Sequence, residues 1–361
     1  MSALPAPAFD GGAFVQQPFP VRVVFGAGAR SRLPDEIAAL DLNRVLVLCT
    51  PGRQDLADEI ATALDERCAG VLPIARMHVP LHVAEQGRAT ARASAADGLV
   101  AVGGGSAVGL AKAIALERAV PIVAVPTTYA GSEMTPVWGI TADGGKRTGR
   151  DARVLPRVAV YDPELTLTLP VGISVTSGMN AVAHAVEALY APDRTPIVSL
   201  LAVEGVRAIA GSLPVIAERP RDPDARAGAL YGAWLSGTCL GSTTMSLHHK
   251  VCHVLGGTFD LPHAATHTVV LPYVLAFNAP AAPGAVQALR TALDGADPAP
   301  ALQALATRLG APRSLAELGL RAEDVDRAAD LVVAGPYANP RPVTAADVRS
   351  LLVAAHQGAP C

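Results

Sequence analysis

Ligand-capable side chains recur at intervals of four residues in two apolar stretches of the sequence. Asn180 and His184 are four residues apart in the first stretch, and His249 and His253 are four residues apart in the second. In a helix this spacing puts both side chains of a pair on one face. A further histidine, His263, follows in a segment that resembles a loop. The spacing therefore predicts a pocket where two helices and a loop bring five polar side chains together.

A lone histidine on an apolar helix is commonly a hydrogen-bonded core residue, so the pattern also has a purely structural interpretation. Six of the nine histidines, however, fall between positions 184 and 267. An imidazole can bind a metal or transfer a proton near neutral pH, because its usual pKa is about 6.5. This clustering favours an active site over a set of unrelated core residues.

The composition indicates a soluble globular protein of two domains. Its 361 residues are 50% hydrophobic, which supplies a large core, and 29 basic residues stand against 32 acidic ones. The basic residues form no dense run, so nucleic acid is not an expected partner.

Cysteine usage and the N-terminal sequence predict a cytoplasmic location. The five cysteines are scattered and none has a C-x-x-C spacing, which is typical of reduced thiols. The first residues lack the basic and apolar regions of a signal peptide. No uninterrupted apolar stretch reaches the roughly 18 residues that a membrane span requires, so no membrane association is expected.

The first half of the chain alternates between strand-like and helix-like segments, as in an α/β domain with a parallel sheet. One apolar strand, 98–102, runs into Gly103-Gly104-Gly105-Ser106 and then into a helix. Glycines allow the backbone to approach a phosphate closely, and the helix start supplies unpaired N–H groups. The spacing is neither the G-x-G-x-x-G fingerprint nor a P-loop, so a tight strand-to-helix turn is the alternative interpretation.

A hydroxyl-rich loop follows the next strand, 121–125. Hydroxyls at the carboxyl end of a sheet strand suit contacts with ribose and pyrophosphate. Two such loops after consecutive strands predict a dinucleotide site that includes Gly104, Gly105, Ser106, Thr127, Thr128 and Ser132.

Beyond Pro170 the strand signals fade and helix-like segments dominate. The expected helices are about 174–190, 196–218, 223–240, 243–255, 285–310 and 323–334. The predicted fold class is therefore α/β, with a Rossmann-like N-terminal domain, residues 1–163, followed by an all-helical catalytic domain, residues 164–361.

These motifs together resemble the iron-containing alcohol dehydrogenase family along almost the whole chain. The resemblance is carried by the glycine loop 103–106, Pro-Thr-Thr…Gly-Ser-Glu (126–133), Asp-Pro-Glu-Leu (162–165), Gly-Met-Asn-Ala-Val-Ala-His-Ala-Val-Glu (178–187) and His-His-Lys-Val-Cys-His (248–253). Within the family, the runs are most similar to those of the maleylacetate reductases. The resemblance implies a dehydroquinate synthase-like fold, NADH or NADPH as cofactor with Lys146 reaching it, and a homodimer. It also implies reduction of maleylacetate, a small dicarboxylate, to 3-oxoadipate in the degradation of aromatic compounds.

The sequence departs from the family at the metal site. In the metal-dependent members an aspartate and three histidines bind Fe(II) or Zn(II), and the resemblance places those positions at Asn180, His184, His249 and His263. Asparagine offers a neutral carbonyl where a hard divalent cation favours a carboxylate. No metal is therefore expected, and if one binds, its ligands are His184, His249 and His263.

A second departure concerns the cofactor. Gly109 stands where the family usually has an aspartate, and Thr50 or Pro51 stands where an acidic residue often selects NAD over NADP. Both changes remove negative charge near the cofactor, which predicts a loose choice between NADH and NADPH.

The implied reaction assigns a role to each polar residue of the pocket. Hydride addition to the alkene carbon β to the ketone builds negative charge on the ketone oxygen, and that charge requires a preorganised donor. His249 and His253 are the expected donor and proton source, and the pocket is shaped by His184, His263 and Asn180.

Four further residues are weaker candidates. Tyr129 is expected near the nicotinamide or the substrate. Lys250 is a candidate partner for a substrate carboxylate, with Arg150 and Arg153 as alternatives. Because Lys250 follows His249 by one position, it points about 100° away around the helix. An outward, solvated lysine is therefore an equally good interpretation.

Two other functions stay open. One is a metal-dependent alcohol dehydrogenase of the same family, against which the neutral Asn180 counts. The other is a dehydroquinate-synthase-like lyase or a noncatalytic nucleotide-binding protein. The scarcity of lysine for phosphate capture and the number of pocket histidines count against both versions of that alternative.

Overall fold

The computed structural model describes residues 14–16, 20–142 and 145–361, apart from the side chain of Lys146. The chain forms two compact units, one within Phe19–Leu169 and one within Pro170–Cys361, to which the described residues 14–16 also belong.

The first unit is built on a six-stranded sheet whose strand pairs are all parallel. Its order is β1-β8-β5-β4-β2-β3, with the strands at Arg22–Phe25 (β1), Val45–Cys49 (β2), Cys68–Leu72 (β3), Gly98–Gly103 (β4), Ile122–Pro126 (β5) and Val158–Tyr161 (β8). The residues of β2, β4 and β5 are all buried, as their continuous apolar sequence requires of strands covered on both faces. The helices of this unit are Leu33–Ala39 (α1), Gln54–Leu64 (α2), Leu81–Ala93 (α3) and Gly105–Arg118 (α4). An antiparallel hairpin adds Val137–Ala142 (β6) and Gly145–Arg150 (β7).

Strands β2 and β4 are neighbours in the sheet although β3 lies between them in sequence. The chain adds β3 on one side of β2 and then adds β4 on its other side, so the order of the strands reverses between β2 and β4. In open parallel sheets, ligands bind beyond the carboxyl ends of the strands at such a reversal. The glycine loop that follows β4 lies at this position, and the hydroxyl-rich loop follows the adjacent strand β5.

The second unit is helical, and residues 170–361, which are all described, contain nine α-helices and no strand. They are Val171–Ala188 (α5), Pro196–Glu218 (α6), Pro223–Ser242 (α7), Leu247–Phe259 (α8), His263–Asn278 (α9), Pro283–Ala292 (α10), Pro298–Arg308 (α11), Val325–Val333 (α12) and Ala345–Gln357 (α13). The predicted Rossmann-like and all-helical architecture is thus confirmed.

The prediction that His263 lies in a loop is wrong, because His263 is the first residue of helix α9. The sequence of α9 hides its helical character. β-Branched Thr266, Thr268, Val269 and Val270 favour strands, and Pro272 inside the helix cannot donate a backbone hydrogen bond. Packing against α5 and α8 overrides these local preferences. Helix α13 was also missed, and the single helix expected at 285–310 is divided into α10 and α11.

Helix α6 is long and apolar enough to cross a membrane by length and composition, a test that buried helices of soluble proteins also meet. It packs against α5 and α7. It also carries an ion pair in which Nε and one terminal nitrogen of Arg207 donate to the two carboxylate oxygens of Glu204. In the described structure, 39% of its most apolar window is buried.

Candidate active site

Helices α5 and α8 bring the first four predicted residues together. Asn180 and His184 lie one turn apart on α5, and each is only 2% exposed. His249 and His253 lie one turn apart on α8, with ring centroids 6.0 Å apart. The rings of His184 and His249 approach to 5.2 Å. The two helix faces predicted from the four-residue spacings therefore meet.

Helix α9 adds two further imidazoles, one of which the sequence reasoning missed. The ring of His263 lies 4.4 Å from that of His267, which is one turn further along the helix. The fully buried His267 also lies 4.9 Å from His249 and 6.2 Å from His184. His267 thus lies at the centre of the cluster. The only sequence signal for it was its four-residue spacing from His263.

A buried carboxylate, Glu187 of α5, fixes the orientation of His249. Its Oε2 atom lies 2.5 Å from His249 Nδ1. The same carboxylate accepts backbone N–H groups at the start of α8, from Ser246 at 3.1 Å and from His248 at 2.8 Å. A carboxylate at a helix N-terminus is stabilised by these donors and by the helix dipole. Because an ionised carboxylate only accepts, His249 Nδ1 carries a proton, and its Nε2 atom is the free face of the ring.

Glu187 was not predicted as a site residue, although its position offered a signal. It follows His184 by three residues in an otherwise apolar helix, which places both side chains on one face. A fully buried glutamate requires a partner, and the imidazole and the N-terminus of α8 together supply it.

Several buried polar atoms of the cluster have no hydrogen-bond partner within the described residues. They are Asn180 Oδ1, His184 Nδ1, His248 Nδ1, His249 Nε2 and His267 Nε2. Buried polar groups in native proteins are nearly always paired, so a concentration of unpaired ones marks a place where a ligand supplies the partners.

Burial keeps three imidazoles of the cluster uncharged. Loss of hydration, followed by the proximity of other imidazoles, lowers the pKa values of His184, His248 and His267 well below the usual value of 6.5. These three rings are therefore neutral at pH 7 and act as hydrogen-bonding groups. His249 differs from them because its ring, unlike theirs, lies against the carboxylate of Glu187 in the described structure.

The cluster differs at one position from the ligand set that the resemblance implies for the metal-dependent relatives. Position 180 supplies a neutral amide, as the sequence indicated. Within the described chain, the three side chains whose donor atoms come within 4.8 Å of one another are His248, Cys252 and His267. In that group His248 Nε2 and His267 Nδ1 are already hydrogen-bonded at 2.9 Å. Burial also raises the pKa of the Cys252 thiol, which keeps it protonated and a poor ligand.

In the α/β unit, the loops after β4 and β5 touch each other where the dinucleotide site was predicted. Gly103 has φ = 144°, and a Cβ atom on Gly104 would lie 2.5 Å from Thr128 Oγ1, so only glycine allows this approach. Thr127 N donates to Gly103 O at 3.2 Å. Gly105 and Ser106 form the first turn of α4, whose N-terminus has no side-chain cap. The arrangement fits a phosphate-binding helix N-terminus.

A buried lysine that was not predicted as a site residue holds the rest of this region. Lys112 Nζ on α4 donates to Ser132 O at 2.7 Å, to Thr135 Oγ1 at 2.9 Å and to Val137 O at 2.8 Å. Its Nζ also lies 3.2 Å from Ser132 Oγ. Burial lowers the pKa of Lys112 to about 7, an effect that nearby Glu133 partly opposes. Lys112 therefore fixes the loop that presents Ser132.

Gly109 is also explained by the structure. A Cβ atom at this position would lie 2.7 Å from Val79 Cγ2. Val79 has φ = 47°, a backbone conformation that β-branched residues rarely adopt. An aspartate at position 109 would displace the segment around Val79. The packing of the unit therefore favours glycine at this position.

The remaining candidates have diverse surroundings. Tyr129 is fully buried in the loop after β5. Lys250 is half-buried on α8, next to His249. Arg153 forms an ion pair with Asp151 at 2.6 Å. Arg150 and Lys146 lie on β7, and the side chain of Lys146 is outside the described part of the structure.

Two family models together match most of the chain. The model of the iron-containing alcohol dehydrogenase matches residues 20–163, and that of the Fe-containing alcohol dehydrogenase family, C-terminal, matches residues 174–356. The chain belongs to the iron-containing alcohol dehydrogenase family and is an oxidoreductase.

Within that family, the chain is similar to maleylacetate reductases. It is 53% identical to the maleylacetate reductase of Sphingobium indicum, over 96% of this chain and 98% of that protein. The crystal structure of maleylacetate reductase from Agrobacterium tumefaciens has a TM-score of 0.92 and 49% identity, covering 97% of this chain and 100% of that one. A crystal structure of an alcohol dehydrogenase from Ralstonia eutropha JMP134 has a TM-score of 0.96 and 54% identity, covering 97% of this chain and 100% of that one.

Proposed function

We propose that this protein uses NADH or NADPH to reduce the C=C bond of maleylacetate, giving 3-oxoadipate, without a metal ion. The observation that carries the proposal is the state of His249. Its Nδ1 atom is bound to Glu187, and its buried Nε2 atom has no partner within the described chain. Similarity to maleylacetate reductases over almost the whole chain supports maleylacetate as the substrate.

The bound cofactor would supply a hydride to the alkene carbon β to the ketone. The ketone oxygen then gains enolate character, and the residue that meets it must donate a hydrogen bond or a proton. Protonated His249 does so through Nε2–H, while Glu187 stabilises the positive charge that this protonation creates. The carboxylate is already in place, so no reorganisation is required when the negative charge forms.

The α-carbon of the enolate requires one proton to complete the reduction. We assign this transfer to His249 or to His253, whose ring lies 6.0 Å away and is less buried. His184, His263, His267 and Asn180 then form the walls of the pocket, where the neutral rings of His184 and His267 and the amide of Asn180 bind the substrate's polar groups. Tyr129 and Lys250 remain proposed contacts of the nicotinamide and of a substrate carboxylate.

The proposed cofactor site lies in the α/β unit. The first turn of α4 at Gly104, Gly105 and Ser106 would hold the pyrophosphate, and the hydroxyls of Thr127, Thr128 and Ser132 would bind phosphate or ribose oxygens. Lys146 would reach the cofactor from β7. Without a carboxylate at Gly109, both NADH and NADPH would be accepted.

A metal-dependent alcohol dehydrogenase is the second candidate, because relatives of this family bind iron or zinc. The lone pair of Asn180 Oδ1 and that of His249 Nε2 are both unpaired, as ligand atoms are before a metal binds. Asparagine in place of a carboxylate weighs against this candidate.

The leading proposal also includes a homodimer in the cytoplasm that acts in the degradation of aromatic compounds.

The test is oxidation of NADH and NADPH by the purified protein with maleylacetate, compared with simple aldehydes and ketones. We expect rapid turnover with maleylacetate and 3-oxoadipate as the product. Reduction of the aldehydes and ketones, with no reduction of the conjugated C=C bond, would favour the alcohol dehydrogenase candidate.

A further inference from the structure

A second imidazole of the cluster is anchored in the same way as His249. His267 Nδ1 lies 2.9 Å from His248 Nε2, and the two ring centres are 4.8 Å apart. Both residues are fully buried. Each anchored ring is thus held through Nδ1, His249 by Glu187 and His267 by His248, and each has a buried Nε2 atom without a partner in the described chain. The reaction proposed for the cluster gives His248 no role.

The two anchors differ in what they exchange with Nδ1. The carboxylate of Glu187 only accepts, so His249 carries its proton on Nδ1 and a lone pair on Nε2. Burial lowers the pKa values of His248 and His267 well below 6.5, so both rings are neutral and each has one N–H group. A single proton therefore lies between His248 Nε2 and His267 Nδ1. Its position decides whether His267 Nε2 is a donor or an acceptor.

Two properties of the pair place this proton on His248 Nε2. Both rings then have the Nε2–H tautomer, which is the form that a neutral histidine side chain favours in water. The opposite arrangement would put an N–H group on His248 Nδ1, a buried atom with no acceptor within the described residues. Buried donors without a partner are rarer in proteins than unused lone pairs. His267 therefore accepts at Nδ1 and presents Nε2–H.

This N–H group lies beside the imidazole that would meet the ketone oxygen. The two nitrogens of an imidazole point away from each other, so His267 Nε2 is directed away from His248. The ring centre of His267 is 4.9 Å from that of His249. Two hydrogen bonds to one oxygen atom span as much as about 6 Å between their nitrogens. One oxygen atom is therefore within reach of both rings.

We propose that His267 is a further catalytic residue whose Nε2–H donates to the ketone oxygen beside His249, and that His248 is the positioning residue that keeps the proton on that nitrogen. The inference rests on the proposed function. His249 supplies a donor that ionises, because Glu187 stabilises its positive charge, whereas His267 supplies a donor that requires no prior protonation. Two preorganised donors then share the negative charge that forms on the oxygen.

The first test measures the turnover of maleylacetate by variants at the two positions. His267→Leu should lower kcat about 10²-fold and change KM for maleylacetate less than about threefold, because the oxygen gains its charge only in the transition state. His248→Leu should lower kcat about tenfold, since His267 keeps its ring but is free to take the other tautomer. His248→Gln should restore kcat to within about threefold of the wild type, because its NH₂ group can donate to His267 Nδ1.

Cys252→Ala is the matched control. Cys252 lies one turn from His248 on α8, is 1% exposed, and has its Sγ atom 3.7 Å from His248 Nε2. Its replacement disturbs the same buried face without removing the N–H that His248 donates, so kcat should stay within about threefold of the wild type. Circular dichroism and the Tm show whether each variant is folded. Equal losses of kcat in folded Cys252→Ala and His248→Leu would overturn the role of His248.

A second measurement does not depend on turnover. In protein with ¹⁵N-labelled histidine, long-range ¹H–¹⁵N correlation shows which ring nitrogen of each neutral imidazole carries the proton, and the signals lost in His267→Leu assign His267. We expect the Nε2–H tautomer for His267 in the wild type and in His248→Gln, and a mixture of tautomers in His248→Leu. The Nδ1–H tautomer in the wild type would overturn the inference.

The outcomes separate this inference from the proposed function. An active wild-type enzyme whose His267→Leu variant changes only KM for maleylacetate would place His267 against another group of the substrate, and the assignment to the ketone oxygen would be wrong. A folded wild-type protein that has the Nε2–H tautomer but does not reduce maleylacetate would overturn the proposed function. The role of His267 in that reaction would fall with it, but the pairing of His248 and His267 would not.

Discussion

The two units bury ionisable groups in contrasting ways. In the α/β unit, Lys112 Nζ lies among four oxygen atoms, and Tyr161 donates to Glu133 at 2.8 Å. In the helical unit, the imidazoles of His184, His249 and His267 each keep a buried ring nitrogen without a partner in the described chain. Both regions exclude water to a similar degree, but only the first is saturated with internal hydrogen bonds.

The difference distinguishes the groups that hold a loop in place from the groups that take part in the reaction. A saturated network makes one backbone conformation much more stable than the others, which suits a loop that must present hydroxyls to a cofactor. Unpaired groups cost stability in the free protein, and a ligand that completes their hydrogen bonds recovers that cost. Replacing a saturated group should therefore change binding or folding, and replacing an unpaired one should change turnover.

The largest expected effect comes from His249→Ala. Loss of the donor to the developing enolate should lower kcat for maleylacetate about 10³-fold, within the range for a general acid or an oxyanion donor. KM for the nicotinamide cofactor should change little. Steady-state kinetics measure both values. His82→Ala, which alters an exposed histidine of α3, is the control. If His249→Ala kept more than about a tenth of the wild-type kcat, the assigned role would be wrong.

Glu187→Gln should lower kcat about 10²-fold. The carboxamide oxygen can still accept backbone N–H groups of α8, but an amide cannot stabilise a positive imidazole and its NH₂ group favours the opposite tautomer. Rapid-quench or steady-state kinetics measure this loss, and the Tm reports the capping of α8. Glu204→Gln, on α6 and paired with Arg207, is the matched control. An unchanged kcat with a lowered Tm would reduce Glu187 to a structural cap.

Lys112→Met tests the hydrogen-bond network around Lys112 in the α/β unit. The oxygen atoms around Nζ lose their common donor, so the loop that carries Ser132 should become mobile and the KM for NADH should rise about tenfold, as expected for one lost charged hydrogen bond. The kcat at saturating NADH should change less than about threefold. Arg118→Met, near the end of the same helix, serves as control. A large fall in kcat with an unchanged KM would contradict a positioning role.

The last prediction concerns the pH dependence of stability. The folded pKa values of His184, His248 and His267 lie below the unfolded value of 6.5. Below pH 6.5 the unfolded state binds protons that the folded state rejects, so stability falls as the pH falls. The loss is about 1.4 kcal/mol per group for each pH unit. Urea unfolding between pH 7.5 and 5.5 measures it. His248→Leu should flatten this slope and His82→Ala should not, whereas equal slopes in all three proteins would refute the assignment.

The sequence predicted those parts of the molecule in which local pattern and tertiary structure agree. Continuous apolar strands followed by glycine or hydroxyl-rich loops were sufficient to predict the sheet and the position of these loops at the ends of its strands. The four-residue spacings placed Asn180 with His184 and His249 with His253 on the correct helix faces.

The missed features depend on contacts between distant segments. Helix α9 forms because packing overrides its β-branched residues and Pro272, so His267 could not be placed. Glu187 acquires its role only when the start of α8, about 60 residues later, lies against it. Lys112 is one of only three lysines in the sequence, but the oxygen atoms around its Nζ belong to residues 20 to 25 positions further along the chain.

The most direct test of the central claim is the metal dependence of turnover. Protein treated with EDTA, and the same protein resupplied with Fe(II) or Zn(II), should be assayed for NADH oxidation with maleylacetate, while the bound metal is measured by mass spectrometry. If unpaired imidazoles carry the reaction, the treated protein keeps full activity with less than about 0.1 metal ion per chain, too little to account for it. Activity that appears only with one bound metal per chain would contradict the account and assign Asn180, His184, His249 and His263 as its ligands.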